Sequence, residues 1–130
     1  MNWRHVFLYH WREESQHAIL DELAWVRHDA GTTAEERDRA VDEFIELVGA
    51  VEGVLQVQAK ADACYFAMAC GRAIDEAEAQ AIEAAFLKAY RWQYIHSGAQ
   101  HPQFGKVLSS LITESQGQQI QAALATLALA

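Results

Sequence analysis

Proline occurs once in this 130-residue chain, at Pro102, and glycine seven times. Helices therefore meet few breakers. Cysteine is almost as scarce. Cys64 and Cys70 fall in one predicted helix, six residues and so about 9 Å apart along its axis, too far to join in a disulfide. Two small buried thiols in a reducing, cytoplasmic setting are expected. Positive charge is short as well: 10 Lys and Arg stand against 18 Asp and Glu, for a net charge of −8. Nucleic-acid binding would need a basic patch and an anionic membrane surface would repel this balance, so neither is an expected partner. Uninterrupted apolar runs fall short of the roughly 20 residues that span a bilayer. No secretory signal is visible at the start.

What is present favours helix. Hydrophobic residues make up 52% of the chain, and charged residues 22%, the balance of a globular domain. Alanine, leucine, glutamate and glutamine dominate. The spacing predicts helices over Asn2–His28, Ala34–Ala69, Asp75–His96, Gln103–Leu111 and Thr113–Leu127. Gly49 and Gly53 are candidate bends in the second. Thr33 with Glu36, Asp75 with Glu78, and Thr113 with Gln116 are capping boxes, each a short side chain three residues before a Glu or Gln. Gly31, Gly98 and Pro102 supply stops. The expectation is one all-α domain over residues 1–130, an up-down helical bundle of about five helices.

Three stripes at helical spacing turn polar partway along. The first runs Trp3, Phe7, His10, Glu14, His17, Asp21, Ala24. The second runs Phe44, Val48, Val51, Leu55, Gln58, Asp62, Tyr65, Ala69. The third runs Ile82, Phe86, Ala89, Gln93, His96. Ionisable groups on a core stripe need pairing or a metal. Residues i and i+3 share a helix face, so Glu14 and His17 can hold one ion or one each of two.

"EESQH" resembles the Glu-x-x-His helix of the ferritin-like di-metal carboxylate bundles. Asp62 is similar in placement to their lone carboxylate on the next helix. Gln93-Tyr94-Ile95-His96 resembles a second Glu-x-x-His with glutamine in place of glutamate. The resemblance spans Phe7 to His96. It implies a ferritin-like bundle with Glu14, His17, Asp62, Gln93 and His96 as metal ligands, iron or manganese as cofactor, and oxidoreductase chemistry with dioxygen or a peroxide on an unidentified small molecule. The family takes one more carboxylate from an earlier helix. Here Glu13, Asp21 or a second subunit would have to supply it; otherwise the site is mononuclear or a degenerate remnant.

Each candidate has a plainer alternative. Glu14 and His17 can be a surface pair. Asp62 can bridge to Arg91, Lys60 or Arg72. His96 can favour a helix C-terminus. His10 reads as a partly exposed helix residue, and Tyr65 and Phe66 as core. The alternative function is a non-catalytic helical interaction module that forms a homodimer, burying Trp3, Phe7, Trp11, Trp25 and Trp92. A third is a small-molecule binder with an aromatic pocket between helices. No catalytic triad, zinc-site spacing or phosphate loop is legible.

Overall fold

A computed structural model describes residues 3–127, and among them every regular element is helical, with no strand. The elements are α1 (Trp3–Asp29), α2 (Ala34–Ala69), α3 (Glu76–Arg91), a π-turn (Trp92–His96), α4 (Ser97–Ala99), α5 (Pro102–Leu111) and α6 (Glu114–Ala125). The expected start at Asn2 lies outside the described residues. The chain forms two compact units, Met1–Arg37 and Asp38–Ala130.

All three capping boxes form. Before α2, the Thr33 N–H donates to Glu36 Oε2 at 2.9 Å and the Glu36 N–H donates to Thr33 Oγ1 at 3.2 Å. Before α3, the Glu78 N–H reaches Asp75 Oδ1 at 2.8 Å and the Asp75 N–H reaches Glu78 Oε2 at 3.2 Å. Before α6, the Gln116 N–H reaches Thr113 Oγ1 at 3.3 Å, with Gln116 Oε1 returning at 2.8 Å to the Thr113 N–H. Each box satisfies two donors that a helix start otherwise leaves orphaned. Pro102 opens α5, where its missing N–H costs nothing. Among the described residues Gly71 carries the one positive φ, 72°, in the turn that closes α2, a backbone state that glycine enters without strain.

In the first unit α1 buries no residue at all. Its C-terminal end is tied by Arg37 Nε, which donates to Asp29 Oδ1 at 2.9 Å.

The second unit has a thin core of Val41, Leu55, Ala59, Ala63, Ile95, Val107 and Ile120. Polar ties supplement it. Gln116 Nε2 donates to Asp38 Oδ1 at 2.5 Å and Gln119 Nε2 to Asp42 Oδ1 at 2.7 Å, lashing α6 to the start of the unit. Phe44 meets the Phe104 ring at 6.4 Å, which brings in α5.

α2 runs through Gly49 and Gly53 without the break that two glycines allowed. A helix-interior glycine costs about 1 kcal/mol, which the Ala-, Glu- and Leu-rich surroundings can carry. The buried face of α2 also differs from the expected stripe. Val41, Glu52, Leu55, Ala59 and Ala63 face inward, whereas Tyr65 and Phe66 are exposed rather than core. Cys64 is exposed and Cys70 only part-buried, so neither is the buried thiol expected.

Candidate functional site

Glu14 stands in the middle of α1, one helical turn from a histidine on either side. Its carboxylate lies 3.8 Å from His10 Nδ1 and 3.7 Å from His17 Nδ1. The i, i+4 and i, i+3 spacings put the three on one face, and all three are exposed. Imidazole and carboxylate are ligand types that iron, manganese and zinc accept, but the three are not placed to hold one ion together. The sequence pattern picked out Glu14 and His17, and His10, on the same stripe, is the exposed helix residue expected.

Asp62 belongs to a different set. Tyr90 donates its hydroxyl proton to Asp62 Oδ2, and Gln58 Nε2 donates to the same oxygen at 2.9 Å. The tyrosine hydrogen bond, with help from Gln58, holds the Asp62 carboxyl below the usual aspartate range. In return Asp62 pushes the Tyr90 hydroxyl upward. The expected salt bridge from Asp62 to a cation is not its contact: Arg91 pairs with Glu52, and Arg72 pairs with Glu78 at 2.8 Å.

Glu52 is the residue that sequence reasoning missed. It is 5% exposed and is gripped by Arg91, whose Nε donates to both carboxylate oxygens at 3.1 Å and whose Nη2 donates to Oε1 at 2.5 Å. Gln56 Nε2 adds a bond at 2.8 Å. Hydrogen bonding from Arg91 outweighs burial and holds the Glu52 carboxyl below its ordinary value of 4.5. The partners are 39 residues apart, so no local spacing announces them.

His96 is buried at 9% exposure. Its Nε2 lies 3.0 Å from the Leu127 carbonyl, to which the Nε2–H tautomer donates. The π-turn sets this inward aim. There the Ser97 N–H reaches back five residues to the Trp92 carbonyl. Ile95 and His96 turn inward, while Gln93 and Tyr94 face solvent. The C-terminal-capping alternative for His96 is thus replaced by a side-chain tie to another segment.

The structure therefore brings Glu14 and His17 together. Asp62 and His96 hold separate protein partners, and Gln93 is exposed. Among the described residues no group of three or more His, Cys, Asp or Glu side chains is placed to hold a metal ion. A cavity of about 120 Å³ lies in the second unit, lined by Phe44, Ile45, Val48, Ile120 and Leu124 among others. It is apolar and contains none of the predicted site residues.

The chain is an all-α protein. No protein-family profile, curated protein or solved structure matches it.

Proposed function

We propose that the chain is a self-associating helical module that works as a homodimer. The observation that carries this is α1. Trp3, Phe7, Trp11, Ile19, Leu20 and Leu23 are each more than half exposed, Trp3 at 76%, and nothing on the helix is buried. Large apolar side chains left open along one helix mark a surface that another chain can cover. Its five aromatics alone, at 150–250 Å² each, amount to on the order of 600 Å² of exposed ring surface. A stable interface buries about 800 Å² per partner. No helix among the described residues is long and apolar enough to cross a membrane, and a second copy offers matching apolar cover. Sedimentation at micromolar concentration tests the reading. A dimer is expected, and a monomer throughout overturns it.

A second reading is favoured by the His10–Glu14–His17 face. In it the chain is a ferritin-like metal-binding protein, an iron- or manganese-dependent oxidoreductase of unknown substrate. Glu14 and His17 would be ligands, joined by His10, and Asp62, Gln93 and His96 would be the remaining candidates. His96 would first have to release the Leu127 carbonyl, and Asp62 would have to share the oxygen that Tyr90 and Gln58 use. A bound metal would supply redox chemistry with dioxygen or a peroxide. Metal analysis after purification without chelator, and after incubation with iron or manganese, tests it. Uptake that Glu14→Ala and His17→Ala abolish supports it; no uptake of either metal overturns it.

A further inference from the structure

The outer face of α2 carries a second apolar pattern. Leu47, Ala50, Val54, Val57, Ala61, Cys64 and Met68 follow one another at steps of three and four, and every one is exposed. At 3.6 residues per turn they cluster on one side of the helix, roughly opposite the buried Val41, Leu55, Ala59 and Ala63. Alternation of three and four over three heptads is the repeat of a coiled-coil seam. The seam holds no charged residue, although the chain carries −8 overall.

We propose that this seam is the docking face for α2 of a second copy, packed antiparallel about a two-fold axis between residues 55 and 56. The proposal rests on the self-association reading and adds a second contact surface, on α2, to the apolar residues of α1. In this register Val54 faces Val57 of the other copy, Ala50 faces Ala61, and Leu47 faces Cys64. The small Ala50 and Ala61 let the backbones approach closely. Charge selects both the partner and the direction. Glu46 and Lys60 flank the seam two heptads apart, at the same heptad position and with opposite sign. Antiparallel copies set each Glu46 on the same edge of the seam as the Lys60 of the other, five residues or about 7.5 Å along the axis and within reach of two long side chains, whereas parallel copies set neither near an opposite charge. The contact is self-complementary, as a two-fold interface requires. Val57 is 73% exposed, and Leu47, Val54, Tyr65 and Met68 are comparably open. Covering these five removes on the order of 400 Å² per copy. The two copies together bury about 800 Å², less than the roughly 1,200 Å² where stable interfaces begin, so this contact alone makes a weak, reversible dimer.

Cysteine cross-linking tests the geometry. In a Cys70→Ser background, Leu47→Cys places a thiol opposite Cys64 of the other copy. Within one chain the two thiols lie 17 residues apart on one helix, about 25 Å, and cannot meet. Mild oxidation is expected to give a covalent dimer with Leu47→Cys and none with Cys70→Ser alone. Val57→Glu is expected to weaken association at least tenfold in sedimentation. Glu46→Lys is expected to weaken it less and to be rescued by Lys60→Glu. A dimeric wild type with no Leu47→Cys cross-link, or a cross-link through Cys64 alone, overturns this interface and leaves self-association standing. A monomeric wild type overturns both.

Discussion

Glu14 and Glu52 are both mid-helix glutamates beside a cation-forming side chain, and they differ in what sets their energetic weight. Glu14 has a side chain 58% exposed, with two histidines at 3.7–3.8 Å. Water solvates it well, and an exposed pair of this kind contributes about 0–1 kcal/mol. Glu52 is buried against a forked guanidinium at 2.5–3.1 Å. Its charge has no water to fall back on, so removing the partner leaves a buried, unpaired carboxylate. The first arrangement is available to a ligand, and the second is committed to structure. A titratable cluster is a candidate for binding where the fold has not already satisfied it.

The sharpest way to break this contrast is Arg91→Ala. It is expected to destabilise the chain by about 3 kcal/mol in denaturant titration, because it strands Glu52. Overfilling the core of the second unit comes next. Ala59 is wholly buried, and Ala59→Leu is expected to cost about 2 kcal/mol by the same measurement. Acid should separate the two glutamates by another route. The Glu52 carboxyl titrates lower in the folded chain than in the unfolded one. The unfolded state then takes up the proton first, so this stabilisation is full above about pH 4.5 and drains away as pH falls through the folded value. Thermal melts of Glu52→Gln should therefore show a shallower acid limb than wild type. The limb will not vanish, since Asp62 and Glu78 are lowered too. Gly49→Ala should stabilise by about 1 kcal/mol, because an added Cβ there meets nothing within 4 Å. The smallest effect is expected at α1. Glu14→Ala should shift the denaturation midpoint by less than about 0.5 kcal/mol.

Helix ends were legible because their chemistry is local. Thr33, Asp75 and Thr113 each find their partner three residues on, and all three boxes formed as the spacing predicted. The buried face of α2 was not legible. The inward residues include Ala59, Ala63 and Glu52, while Leu47, Val54, Val57 and Met68 face out, so hydrophobicity alone points the wrong way. The pairing of Glu52 with Arg91 depends on how α2 and α3 meet, which no short window contains. Of the candidate site, Glu14 and His17 were readable from an i, i+3 step. The ties of Asp62 to Tyr90 and of His96 to Leu127 join residues 28 and 31 positions apart.

The π-turn at Trp92–His96 also acts as a phase shifter. By accommodating one residue beyond the α-helical repeat, it puts everything after it about 100° out of step with Phe86 and Tyr90. Ile95, which straight helical counting sets off the Phe86 stripe, is delivered to the interior beside His96 without any change in composition. A one-residue deletion in this segment would rotate the helix end back, and His96 would lose its hold on the Leu127 carbonyl. The length of this helix is thus a coding variable in its own right, set by residue count rather than by residue type.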